Sequence, residues 1–286
     1  MMAVNYTSPT SEIMRQTGAC QDAGGSITYG NYEEDKHHFL VIRISSMKLE
    51  RTLYQKSYLY FIGFFLFVLV AFWLTYFVRI SEQENYRLHT HGIALILWCL
   101  MLIAQPYFIR TKRYALHRRV GTFSYLLVPL IVFTTVDLLK FRLIGVAPLT
   151  TNDYFSIALV LNALVAFVIL YGLAIYFRKK PTIHARYMIC TVFPLFTPVT
   201  DRIIHIHIPS LLPYLPTLEG APITPVAGFL LADLLLIALC IWDWRSHRQL
   251  NVFPIALMIL LLYHYSVLNF YKFEFWKMFS NWFVEV

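Results

Sequence analysis

The chain has 286 residues, of which 58% are hydrophobic and only 14% charged, and its net charge is +8. Water-soluble domains carry about 25% charged residues, so a soluble globular surface is excluded and the core must be a helix bundle in lipid. The positive charge does not point to nucleic acid. It lies in short loops between apolar runs, the pattern of membrane orientation, and no basic groove-binding element is present.

Residues 1–46 are polar and rich in Gly, Ser and Thr, with no helical period and no apolar signal-peptide core. They read as a disordered or non-native tail. A second reading starts the protein at Met47, where "MKLERTLYQKSYLYF" makes a basic lead-in to a membrane helix. Residues 47–286 then alternate long apolar runs with short charged loops. Runs near 20 residues cross a bilayer as helices. The runs at 57–79, 92–110, 120–138, 154–177, 187–208, 225–243 and 252–271 predict seven. The expected fold is therefore all-α, a polytopic transmembrane bundle of seven helices.

The loops "RTKRYALHRR" (110–119), "RKKPTIHAR" (178–186) and "DWRSHR" (243–248) hold the concentrated positive charge. With seven spans they share one face with the basic stretch before Ser57. The positive-inside rule makes that face cytoplasmic. The N-terminus is expected inside, the C-terminus outside, and the chain in a cell (inner) membrane. Cys20, Cys99, Cys190 and Cys240 are scattered, with no CxxC or CxxCH. A disulfide framework, a zinc site and covalent haem are unsupported.

Ionisable groups inside spans are costly and are expected to face the bundle interior with partners. They fall into two layers. The outer layer holds His91, Asp137, Asp201, Arg202, His205 and Asp233. Arg202 lies about 15 residues into span five and Asp233 about 8 into span six, which brings both to a similar depth on a rise of about 1.5 Å per residue. An Arg202–Asp233 ion pair is therefore expected. The inner layer holds His117 and His184 with Arg118, Arg119, Arg186, Asp243 and His247. Two histidines facing one another there could ligate a haem iron or a transition metal. The i,i+2 pairs His89/His91 and His205/His207 point about 200° apart on a helix and do not chelate. His264, in the middle of span seven, reads as a hydrogen-bonded bundle residue.

His91, Trp98 and Gln105 are seven apart. Seven residues turn about 20° short of two full turns, so the three form a polar column along one face. Trp98 lies too deep for an interfacial aromatic belt, so the column is expected to face the bundle. Motifs of soluble catalysis such as GxSxG, HExxH and Walker A are absent.

Residues 85–250 resemble a family of uncharacterised bacterial polytopic membrane proteins. The resemblance rests on His91, Trp98 and Gln105; on His117, Arg118 and Gly121; on Lys180, Pro181, His184, Arg186, Met188 and Arg202; and on Asp233, Asp243 and His247. It implies that these residues form the site, and it implies no activity. A weaker likeness joins the chain to membrane b-type cytochromes and haem-handling proteins related to cytochrome oxidase assembly, through histidines at helix ends and His-Arg motifs. In the usual di-haem pattern the histidines lie deeper in the four-helix core than His117 and His184 do.

Three functions compete on these residues. The first is redox or cofactor handling, with haem b or quinone held by His117/His184 on the inside and His91/His205 on the outside. The second is a proton-coupled small-solute carrier using His91, Arg202 and Asp233. The third is a membrane assembly factor without catalysis. Membrane redox or assembly proteins are the partners the first and third would require.

Overall fold

The computed structural model describes residues 56–146, 148–247 and 251–285. The expectations for the tail and for Met47 lie outside them. Seven helices are long and apolar enough to span a membrane. Span one is α1 (Ser57–Phe72), continued as a π-helical turn over Trp73–Phe77. Spans two to four are α2 (Tyr86–Arg110), α3 (Tyr114–Leu143) and α4 (Thr151–Tyr176). Span five is divided into α5 (Pro181–Cys190) and α6 (Phe196–His207), joined through a 3-10 turn at Phe193–Leu195. Spans six and seven are α7 (Pro225–His247) and α8 (Phe253–Asn269), the latter extended by a 3-10 turn at Phe270–Lys272.

Several helices run further than hydropathy alone predicts, because capping and turn chemistry rather than apolarity decide where they stop. The Asn85 side chain accepts the Arg87 N–H and starts α2 six residues before the apolar run. Thr150 and Asp153 form a capping box at the start of α4. Between α2 and α3, Lys112 adopts a left-handed conformation (φ 58°) and Arg113 N–H donates to the Phe108 carbonyl at 2.8 Å. The turn is tight, so α2 and α3 lie antiparallel and adjacent. Span five breaks where Pro194 removes a backbone donor after Thr191, which satisfies its own hydroxyl on the Met188 carbonyl.

The connection from α6 to α7 contains a short hairpin, β1 (Thr217–Leu218) paired with β2 (Ala221–Pro222). Its turn residues Glu219 and Gly220 both have positive φ, the geometry of a type I′ turn. After α8 comes α9 (Glu274–Glu285), which hydropathy did not reveal. It buries Trp276, Ser280 and Phe283 against the end of α3 and the start of α4 and exposes Phe275, Met278 and Trp282. The Trp276 indole donates to the Tyr154 carbonyl at 3.0 Å. Polar Glu274, Lys277 and Asn281 line its third side. Twelve residues with that pattern are too short to span and suit a membrane–water boundary.

Helix α4 divides the interior. Phe167 and Tyr171 pack with Trp98, Leu127 and Ile131 of α2 and α3. Leu170 and Ala174, on the other side, pack with Tyr187, Phe229, Leu236 and Leu260 of α5, α7 and α8. Helices α6 and α7 approach closely at Gly228. A Cβ there would lie 3.0 Å from Thr197 Cα and would run into Thr200 Oγ1. Overpacking of this kind costs about 1–3 kcal/mol. Gly228→Val should therefore lower the melting temperature of the detergent-purified protein, and an unchanged melt would mean that α6 and α7 separate freely.

Candidate functional site

Two ends of the bundle are distinguished here by charge. The basic end carries the 110–119 and 178–186 segments, and the opposite end carries the β1–β2 hairpin. The column on α2 faces α3 and α4. At the opposite end, His91 Nδ1 lies 3.4 Å from both Thr134 Oγ1 and Thr135 Oγ1. At mid-height Trp98 is fully buried, edge-on to Phe167 at 5.1 Å and to Tyr171 at 5.8 Å. Its indole N–H has no hydrogen-bond partner among the described residues. At the basic end the Gln105 amide nitrogen faces His117 Nδ1 and the His117 carbonyl, and its oxygen accepts from Gly121 N–H at 3.0 Å. The space around the middle of the column is filled by aromatic side chains, so the column is a packed seam between helices.

At the basic end, His184 Nδ1 donates to the Ala174 carbonyl at 2.8 Å. Arg118 is exposed. The side chain of His247, at the end of α7, lies outside the described residues. Arg186 and Asp243 are fully buried and face each other bidentately, with Nη2 to Oδ1 at 2.8 Å and Nη1 to Oδ2 at 3.0 Å. Arg186 Nη1 also donates to Asn251 Oδ1 at 3.3 Å, and the guanidinium lies 5.6 Å from the Phe253 ring centre. This fork ties α5, α7 and the start of α8 together. Sequence reasoning placed both residues in a loop cluster. Their interior position follows from α5 beginning at Pro181, six residues before the apolar run.

The expected Arg202–Asp233 pair is corrected. Asp233 Oδ2 is 3.1 Å from His264 Nδ1, while Arg202 donates from Nη1 to the Pro198 carbonyl at 3.1 Å and stacks 4.4 Å over Phe72. Depth does not set direction: Arg202 on α6 faces α1, and Asp233 on α7 faces α8. His205 is turned to Asp201, donating to its carbonyl at 3.0 Å with its side chain 46% exposed, while His91 faces Thr134 and Thr135.

The structure adds a residue that sequence reasoning had set aside. His264 is buried and stacks on Phe229 with ring centres 4.0 Å apart. Beside it, the buried Tyr263 hydroxyl lies 3.4 Å from Thr197 Oγ1, just past the break in span five. Asp233 Oδ1 is buried with no hydrogen-bond partner among the described residues. The only signal for His264 was a single ionisable residue in an apolar run. No group of three or more His, Cys, Asp or Glu suited to a metal ion occurs among the described residues.

No protein-family model matches the chain, and no curated protein and no solved structure matches it. Its chemistry must therefore be read from the geometry. Buried carboxylate and imidazole in contact can share or exchange one proton. The Asp233–His264 contact lies beside a discontinuous helix, the element from which transporters commonly build their binding sites. In the second cluster, a histidine whose Nδ1 is held by a carbonyl presents Nε2 as a lone pair, the orientation typical of metal-ligating histidines.

Proposed function

We propose that this chain is a proton-coupled small-solute carrier, in a cell membrane with its basic end cytoplasmic, its N-terminus inside and its C-terminus outside. The observation that carries the reading is the Asp233–His264 contact at 3.1 Å, inside two apolar helices and beside the broken span five. Intramembrane ionisable residues are retained at a cost and mark ion or proton paths. Asp233 has one carboxylate oxygen on His264 and a second with no donor among the described residues. A proton arriving at that second oxygen neutralises the carboxylate, weakens its hold on His264 and gives α7 and α8 a second stable arrangement. The break between α5 and α6 supplies the hinge on the neighbouring span, and Tyr263 with Thr197 connects it to the proton site. His91 and Arg202, at the opposite end, are the solute-facing groups.

The test is proton flux into proteoliposomes loaded with a pH-sensitive dye, comparing wild type with Asp233→Asn. Wild-type flux driven by an imposed pH gradient is expected, and flux lost in the variant. Equal flux in both would refute the assignment.

A second reading, cofactor handling, is favoured by one observation: the Ala174 carbonyl accepts from His184 Nδ1 at 2.8 Å, which fixes the tautomer that offers Nε2 as a ligand. Haem b would be held by His184 and His117, without His91 or His205. Protein purified after expression with ample haem should then show a Soret band that disappears in His184→Ala. Absence of the band in wild type removes the haem form of this reading.

A further inference from the structure

We propose that the turn between α2 and α3, together with Tyr58 at the start of α1, is a binding site for the headgroup of an anionic phospholipid. At the basic end Arg110, Lys112, Arg113, Arg118 and Arg119 are all exposed, and so is the 178–180 segment between α4 and α5. The one acid at this end among the described residues is Asp243, which is fully buried on Arg186. Exposed acids such as Glu82, Glu219 and Glu274 lie at the opposite end. The cations of the α2–α3 turn therefore have no carboxylate partner among the described residues, and an anion from outside the chain completes them.

Local geometry concentrates this charge at one place. Arg110 ends α2, donates from Nη1 to the Tyr58 hydroxyl, and lies with its guanidinium 5.1 Å from the Tyr58 ring centre. Tyr107 meets Tyr58 edge-on at 6.0 Å. The arginine is thus anchored between two spans. A guanidinium has five N–H donors, and Tyr58 is its one acceptor among the described residues, so most of the fork stays open to a phosphate. The chain then turns sharply: Arg113 N–H donates to the Phe108 carbonyl at 2.8 Å, and Lys112 is left-handed at φ 58°. Glycine adopts that conformation at least cost, yet an exposed lysine stands there, within one turn of Arg110. The surface below these cations separates a lipid from a soluble anion. Leu59 and Tyr60 near the start of α1 and Ile109 at the end of α2 are exposed apolar side chains at the level of the turn. Tyr58, Tyr107 and Tyr114 flank it, and tyrosine is enriched where headgroups meet hydrocarbon. One phosphate over the cations with acyl chains along those side chains meets both demands, as in basic pockets between transmembrane helices. This holds whether or not the chain carries a solute.

Native mass spectrometry of the full chain released from detergent tests this, with phosphatidylglycerol and phosphatidylcholine of the same acyl chains as probes. Phosphatidylglycerol should bind more tightly by about tenfold or more, since each basic side chain near an anionic headgroup contributes about fivefold. Arg110→Gln should cut that preference about fivefold, and Arg110→Gln, Lys112→Gln and Arg113→Gln together should remove it. Lys272→Gln, an exposed cation at the opposite end, should leave it intact. Equal binding of the two lipids by wild type overturns the proposal and needs no variant to fold. Displacement of bound phosphatidylglycerol by an equal concentration of glycerol 3-phosphate also overturns it, because the turn would then hold a soluble phosphate. An undiminished preference in the triple variant does so as well. So does an equal loss in Lys272→Gln, which would reduce the attraction to net charge.

Discussion

Arg186→Met should destabilise the protein by about 3–5 kcal/mol, because it strips a buried carboxylate of the guanidinium that both its oxygens face. The two side chains are 1% and 0% exposed, so solvent cannot replace the lost partner. The pair also joins three elements, through Asp243 on α7 and Asn251 before α8. Its loss should therefore loosen the whole basic end. Asp243→Asn should cost less, since an amide can still accept from Arg186. The double replacement Arg186→Met with Asp243→Leu should recover much of the stability, because a buried ion pair is often no better than well-packed apolar groups of similar volume. Denaturation of the four proteins in one detergent gives the comparison. If the single and double variants melt alike, packing of the Arg186 stem rather than charge explains the cost.

The largest effect on activity is expected at Asp233. Asparagine keeps the size of the side chain and can still contact His264 Nδ1, so Asp233→Asn should leave stability within about 1–2 kcal/mol of wild type, the scale of one hydrogen bond. It removes the group that gains and loses the proton, so flux should fall to that of protein-free vesicles. His264→Asn removes the partner without removing the acid. It should slow flux and shift its pH dependence rather than end it. A variant of either residue that runs at wild-type rate would place the proton path elsewhere, with the Arg186–Asp243 fork the next intramembrane acid to test.

Seven spans were legible because lipid imposes a strong rule: backbone polar groups must be satisfied within the segment, so each crossing needs an apolar helix of about 20 residues. The polar column was legible for a related reason. His91, Trp98 and Gln105 recur at a spacing that helical geometry maps to one face, and all three do face α3 and α4. Helix ends were less legible, because Asn85, Lys112 and the Thr150 capping box act through local hydrogen bonds that a hydropathy average does not register. Helix α9 escaped for a similar reason, since its apolar residues are divided between a protein-facing and an exposed side.

The partners of the buried charges were a matter for the tertiary structure alone. Composition and periodicity place Arg202, Asp233, Arg186 and Asp243 inside or at the edge of the bundle, and counting residues gives each a height. Pairing depends on the direction each helix turns toward its neighbours. The break at Phe193–Leu195 and the close approach at Gly228 set that direction for span five against span six. Sequence therefore determined a seven-span helical protein with ionisable groups held at two depths. Packing decided that Asp233 meets His264, that Asp243 meets Arg186, and that Arg202 meets the face of Phe72, because a helix specifies its own faces but not the neighbour each one meets.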